Sequence, residues 1–261
     1  MKEYQFAYGK GSVSVPLDES SVLAVLHGNE AAPLSDIRAA LFESLEHPVD
    51  SAPLAARIAP GAAVALVVSD MSRFWMRQDL VIPHLVEYLH TRCGVAYEKL
   101  TIVVANGTHI GGDEQELRTL VTDSVYDQVR VENHNCEADD LVYLGTTAHD
   151  TPVWINRTVA TADFVVCLGA CTHHIMAGFG GGRKSILPGV SGLQTIRHNH
   201  AYSLDPKCLR SNPKIGNGVL EGNPLHEDMC EAAAMVKNLF MVNLVMNAQM
   251  ALTAIFSGHY L

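Results

Sequence analysis

The stretch His173-His174-Ile175-Met176-Ala177-Gly178-Phe179-Gly180-Gly181-Gly182-Arg183-Lys184-Ser185-Ile186-Leu187-Pro188-Gly189 decides how this 261-residue chain is read. With its continuation to Asn199-His200 it holds four of the thirteen histidines and six glycines. Just upstream, Phe164 to Leu168 is a short apolar run of the kind shown by a strand that a parallel sheet buries on both faces. A glycine-rich loop at the end of such a strand lets a ligand approach the main chain, because Gly180, Gly181 and Gly182 present no side chain. Main-chain N–H groups backed by Arg183 and Lys184 are a physical recipe for holding a phosphate. Beyond Pro188-Gly189, a short helical pattern runs from Ser191 to His200.

Outward from this stretch, the strand-then-polar-turn pattern recurs twice. Ala62 to Val68 is a continuous apolar run ending in Ser69-Asp70-Met71-Ser72-Arg73, and Leu100 to Ala105 ends in Asn106-Gly107-Thr108-His109. Asp79 to Thr91 carries Leu80, Leu85, Val86 and Leu89 at helical spacing. Ser35 caps an amphipathic helix to about Leu45, and Asp113 to Val121 is a helix whose acidic opening suits its dipole. Gln128 to Glu132, Val153 to Val159, Leu239 to Val245 and Ala251 to Phe256 read as further strands, and Ser21 to Leu26 as a short one. Pro224 to Val236 is a helix with proline in its first turn. Residues 4 to 15 alternate around Gly9-Lys10-Gly11 as a hairpin, and residues 203 to 223, rich in Pro, Gly and Asn, form an irregular connection. The alternation predicts an α/β fold: a mostly parallel sheet flanked by helices. Its ligand site lies at the strand carboxyl ends, where the turns 69–73, 106–109 and 171–184 converge.

Composition removes several classes of function. Hydrophobic residues make up 48% and charged residues 18%, a globular mixture, and the formal charge of −10 argues against nucleic acid or an anionic membrane as partner. The longest apolar stretch, Gly61 to Val68, is too short to span a bilayer, and the N-terminal residues lack the apolar core of a signal peptide. A cytoplasmic setting is expected. The six cysteines, 93, 136, 167, 171, 208 and 230, show no C-x-x-C pair and read as reduced thiols.

A phosphate-binding P-loop, G-x-x-x-x-G-K-[ST], is the first comparison for the glycine stretch. Lys184-Ser185 fits its end, but Arg183 stands where the last glycine would wrap the phosphates, which argues against a P-loop-like phosphotransferase. A longer pattern fits better: His174-Ile175-Met176-Ala177-Gly178-Phe179, then Gly181-Gly182-Arg183-Lys184, Leu187-Pro188-Gly189 and Asn199-His200. Together with Ser69-Asp70-Met71-Ser72-Arg73, Asn106-Gly107-Thr108-His109 and Gly222-Asn223-Pro224-Leu225-His226, it resembles the nickel-dependent lactate racemase family over most of the chain. Phe74 departs from the pattern, in which proline commonly follows the arginine; Gly180 and Ile110 are smaller departures.

The resemblance implies a racemase or epimerase of a 2-hydroxy acid. Lys184 would carry a pyridinium-3,5-bisthiocarboxylic acid mononucleotide through a thioamide bond, a pincer that holds nickel, and His200 would complete the nickel site. A single neutral imidazole beside a pincer's carbon and sulfur donors is chemically sensible for square-planar nickel. His109 and His174 would be the acid/base pair, since histidine both accepts and donates a proton near neutral pH. Arg73 would fork the substrate carboxylate. Asp70 and Ser72 would support the cofactor or orient Arg73, with Gly182 and Arg183 also on the cofactor. The resemblance further implies that residues 1–261 are the N-terminal cofactor-bearing domain, with a C-terminal domain absent from this chain and cofactor-maturation proteins as partners. A truncated homologue that binds the cofactor without catalysis is the other reading.

Overall fold

The computed structural model describes residues 1–9, 11–28 and 31–260, which form two compact units, 1–31 and 32–261. In the first, β1 (Lys2–Tyr8) and β2 (Gly11–Leu17) pair antiparallel with Tyr8 opposite Gly11. This is the expected hairpin; Lys10 of its turn lies outside the described residues. The strand expected at Ser21 to Leu26 is not formed. Asp18 instead caps a 3-10 turn over Glu19–Ser21, and Leu23 and Leu26 stay exposed with no strand to pair them among the described residues.

The second unit runs α1 (Ile37–Glu46), α2 (Leu54–Arg57), β3 (Val64–Ser69), α3 (Ile82–Thr91), β4 (Leu100–Ala105), α4 (Glu114–Val121), α5 (Asp123–Tyr126) and β5 (Arg130–Asn133). It continues with β6 (Val142–Thr146), β7 (Pro152–Ile155), α6 (Arg157–Thr161), β8 (Phe164–Ala170), β9 (His173–His174) and β10 (Gly178–Phe179). The remaining elements are α7 (Leu193–Ala201), α8 (Pro224–Ala234), β11 (Leu239–Met246) and β12 (Leu252–Gly258). The main sheet has the order β12-β11-β8-β3-β4-β5, and every neighbouring pair is parallel except β11 with β12. From β3 the chain builds outward through β4 to β5, then returns to lay β8 on the other side of β3. The strand order therefore reverses between β3 and β8, and a crevice opens beyond their carboxyl ends.

Both faces of the sheet are covered. Val64, Leu66 and Val68 of β3 pack with α1, α3 and α4, whereas Ala65 and Val67 pack with Val159, Ile186, Leu225 and Met229 on the opposite side. Two buried faces explain the unbroken apolar runs in the sequence, each large aliphatic side chain contributing roughly 1.5–3 kcal/mol on burial. Local chemistry sets the boundaries. Asp113 and Glu116 form a reciprocal capping box at the start of α4, and Asp36, rather than Ser35, caps α1. The run Val153 to Val159 divides, because the Asn156 side chain accepts from the Val159 N–H and starts α6 where a strand was expected to continue. Arg77, with φ of 51°, similarly delays α3 to Ile82.

Candidate active site

The three turns meet around a cavity of about 330 Å³, lined among others by Arg73, His109, His174, Lys184 and His200. These are five of the nine residues that the sequence nominates. Among the described residues no aspartate or glutamate lines the cavity, although the chain carries 28 acidic residues against 18 lysines and arginines. An occupant of this cavity faces two cations and three histidines.

Asp70 stands behind the lining. Its carboxylate, 5% exposed, accepts from Ser72 Oγ at 2.6 Å, from Arg73 Nη1 at 3.3 Å and from His109 Nδ1 at 2.5 Å. Arg73 also donates to Ser72 Oγ. Asp70 and Ser72 thus hold Arg73 and, unforeseen from the sequence, His109. A carboxylate only accepts, so Nδ1 of His109 carries a proton, and in the neutral ring Nε2 is the acceptor. Two further contacts fix the frame. Gln78, fully buried, clamps the end of β3 by donating to Ser69 O at 2.7 Å and accepting its N–H at 3.1 Å. The 106–109 turn closes with His109 N donating to Asn106 O at 2.8 Å, and Gly107 N reaches Gly189 O at 2.9 Å.

His174 is held differently. Nδ1 accepts the main-chain N–H groups of Met176 at 3.2 Å and Ala177 at 3.1 Å, so neutral His174 carries its proton on Nε2. The two histidines are therefore opposite tautomers. Burial, reinforced by the charges of Lys184, Arg73 and Arg183, pushes His174 down to about 4. Lys184 is pushed down to about 8, first by burial and then by Arg73 and Arg183. On α7, burial and Lys184 also lower His200. The His200 ring lines the cavity, with its Nδ1 enclosed. Asn199, the preceding residue, anchors the helix by donating to Asp228 Oδ2 at 2.8 Å and Leu225 O at 3.0 Å. Asp228, fully buried, also accepts from Thr147 and Thr151.

Gly182 and Arg183, expected on the cofactor, are outside the cavity lining and are engaged within the protein. Gly182 donates its N–H to Asn243 Oδ1 at 3.1 Å, so that donor is already used within the protein. Gly181 adopts φ of 69°, and a Cβ there would lie 2.2 Å from the same Asn243 oxygen. Arg183, 5% exposed, points away from the cavity. It donates to the carbonyls of Ala177 and Phe179 at 2.5 and 2.9 Å, and from Nε to His226 Nδ1 at 3.0 Å. Its guanidinium thus finds acceptors in the loop carbonyls, of which Ala177 O also accepts from Phe179 N at 2.9 Å. The roles of Asn243, His226 and Asp228 escape sequence reasoning, since each acts through a partner distant in the chain.

Among the described residues, no group of three or more His, Cys, Asp or Glu is arranged to hold a metal ion. A metal at His200 would have to arrive with most of its donors. A larger cleft of about 460 Å³ opens at the amino ends of β3 and β4, near Lys99, Arg130, Glu132 and Arg157. Two of its cations are already paired, Arg130 with Glu132 at 2.9 Å and Arg157 with Asp140 at 3.0 Å, and none of the nominated residues reaches it. The smaller cavity has the convergent chemistry. Among the described residues, no helix is long and apolar enough to cross a membrane.

Known proteins resemble this chain in sequence and in fold. The model of the lactate racemase N-terminal domain matches residues 8–210. A lactate racemase from Thermoanaerobacterium thermosaccharolyticum is 27% identical, covering 99% of this chain and 60% of the relative; one from Lactiplantibacillus plantarum is 26% identical, covering 96% and 58%. The structure of the Thermoanaerobacterium thermosaccharolyticum lactate racemase apoprotein superposes with a TM-score of 0.84 at 25% identity, over 99% of this chain and 59% of that one. A Thermotoga maritima protein shares the fold with a TM-score of 0.66 at 20% identity, over 89% of this chain and 56% of that one. The chain thus spans about 60% of the length of the curated relatives it matches.

Proposed function

The chain belongs to the lactate racemase N-terminal domain family, and on that premise we propose that its cavity serves racemisation or epimerisation of a lactate-like 2-hydroxy acid. The carrying observation is the acid-free lining in a chain of net charge −10. Arg73 and Lys184 give an anionic ligand a favourable field, and Arg73 offers a planar fork to a carboxylate.

The residues also fit a lysine-tethered nickel-pincer nucleotide. An amine lowered to about 8 is partly neutral near physiological pH and able to form a covalent bond. A pincer would bring its own carbon and sulfur donors, so one nitrogen of His200 would suffice where, among the described residues, no cluster of metal ligands exists. When bound, this group supplies a reversible acceptor for the C2 hydride, which avoids a carbanion beside a carboxylate. Arg73 orients the substrate through its carboxylate. His109, with Nδ1–H committed to Asp70, takes the hydroxyl proton at Nε2, leaving a 2-keto acid. Neutral His174, whose Nδ1 is held by main-chain N–H groups, would donate a hydrogen bond from Nε2–H to the substrate oxygen, while His109 returns the proton it took. Each return of hydride to C2 is matched by return of a proton to the C2 oxygen, so the overall change is inversion alone.

We further propose that residues 1–261 are the cofactor-bearing domain and that a C-terminal domain, like the remaining length of the relatives, covers the site. Ile110 and Ile175, 96% and 72% exposed, directly follow His109 and His174 and would be apolar contacts for such a cover. Closure would exclude water from the hydride step. The 261-residue chain alone is accordingly expected to be nearly inactive.

The test is coexpression with cofactor-maturation proteins, followed by intact mass and nickel analysis. A nucleotide-sized adduct that maps to Lys184, with nickel lost in His200→Ala, supports the reading. Adduct and nickel without isomerisation of any 2-hydroxy acid, even with the second domain supplied, would leave a non-catalytic carrier. No adduct in the two-domain protein would end the pincer proposal.

A further inference from the structure

We propose that Asn106 is a substrate-recognition residue, an inference that rests on reading the cavity as a 2-hydroxy-acid site. Asn106 is 2% exposed, yet neither Nδ2 nor Oδ1 of its carboxamide has a hydrogen-bond partner among the described residues. It walls the cavity that Arg73, His109 and Lys184 line, and on its other side a pocket of about 260 Å³ lined by Asp70 and Ser72. Its position is fixed by its own backbone, since Asn106 O accepts from His109 N at 2.8 Å and Gly107 N is tied to Gly189 O at 2.9 Å. The same short turn therefore carries a base-competent histidine and an unsatisfied amide.

An amide enclosed with both halves unpaired is destabilising, and a leucine of nearly the same shape would avoid that cost. Unpaired buried groups in native proteins call for a partner outside the protein or a functional reason. Here the surroundings specify the partner. The cavity is cationic and free of carboxylates, so its occupant brings oxygen acceptors of its own. Nδ2 is matched to an oxygen of the carboxylate that Arg73 anchors, and Oδ1 to a ligand hydroxyl. A 2-hydroxy acid carries these two groups on neighbouring carbons, the spacing a single carboxamide can meet.

Asn106→Leu in the 261-residue chain separates the outcomes. Two quantities are measured: the thermal unfolding midpoint, and the dissociation constant of L-lactate from shifts of the Arg73 side-chain and His109 ring signals in nitrogen-edited NMR. The expected result is a higher midpoint together with at least about tenfold weaker lactate binding, the loss appropriate to a hydrogen bond with a charged ligand. A higher midpoint with unchanged binding overturns the proposal, because the amide then has no ligand. A lower midpoint with unchanged binding also overturns it, since the amide is then satisfied within the fold. If leucine prevents folding, Asn106→Ala, which only removes atoms, gives the same binding comparison. If the wild-type chain alone shows no lactate-dependent shift, the comparison is made in the cofactor-loaded two-domain protein, where absence of any shift would defeat the 2-hydroxy-acid reading itself.

Discussion

Replacing Asp70 by asparagine tests the organisation of the site most directly. The substitution preserves shape and removes a charge that accepts three hydrogen bonds, from Ser72, Arg73 and His109. Asparagine offers one acceptor oxygen and an NH2 group, so at least one donor must face another donor. The Asp70 side chain is 7% exposed, but those of Arg73 and His109 are 43% and 49% exposed, and solvent screens their charges. The Arg73 ion pair is therefore worth under about 1 kcal/mol, and the hydrogen bonds from Ser72 and His109 about 1 kcal/mol each. Relief from burying a carboxylate offsets part of the sum. The net destabilisation is about 1–2 kcal/mol, or roughly 2–8 °C in midpoint for a unit of this size.

The larger expected effect is on His109. Without a carboxylate to hold Nδ1–H, the ring relaxes toward the tautomer protonated on Nε2, which dominates in unconstrained imidazole. Long-range proton–nitrogen correlation spectra distinguish the two tautomers ring by ring. Wild-type His109 should report Nδ1–H and His174 Nε2–H; in Asp70→Asn, His109 should shift toward Nε2–H while His174 stays as it was. An Nδ1–H tautomer of His109 that persists in the variant would refute the argument that Asp70 sets its proton. A wild-type His109 already on Nε2–H would refute it as decisively.

Two further outcomes follow from the electrostatics of the cavity. Lys184 is depressed from 10.5 to about 8, so its charged form is disfavoured in the fold; between those pH values the unfolded chain binds more protons and stability rises with pH. Lys184→Met should therefore stabilise most below pH 8, by up to about 3 kcal/mol, with the gain fading toward pH 10.5; unfolding midpoints of both proteins across pH 7–10 check this. His174 is depressed from 6.5 to about 4, which makes its contribution present above pH 6.5 and progressively lost as pH falls to 4. His174→Leu should flatten the acid limb of the stability profile in that window, and an acid limb of unchanged slope would contradict the burial argument.

Much of this architecture is legible in the sequence because its strands are buried on both faces. Leu100–Ala105 forms as read, and the runs at 64–69 and 164–170 differ by a residue or two. Elements with weaker patterns were not legible: β6 and α5 are short and mix polar with apolar residues, and the valines of 153–159 suit strand and helix alike until Asn156 caps the latter. Within the site, Arg73, His109, His174, Lys184 and His200 were named through the family resemblance, and the structure lines one cavity with all five. Side-chain direction was not legible. Arg183 turns inward because His226, 43 positions later, and the loop carbonyls take its donors, and Gly182 is committed to Asn243, 61 positions away.

The same distinction explains how an acidic chain builds a cationic cavity. Its nearest carboxylate, Asp70, is close enough to set the proton on His109, yet it stands behind the lining with Ser72 and Arg73 across its other oxygen. Arg183 is likewise turned away, but its charge still acts on Lys184 and His174. A carboxylate placed in the lining would pair with Lys184, raise its proton affinity and leave less neutral amine for covalent attachment. Keeping acids one layer back therefore serves two ends at once: it orients the base, and it leaves Lys184 among like charges. The glycine loop makes this possible, because its main chain supplies enough carbonyl acceptors to satisfy a buried guanidinium without a counter-ion.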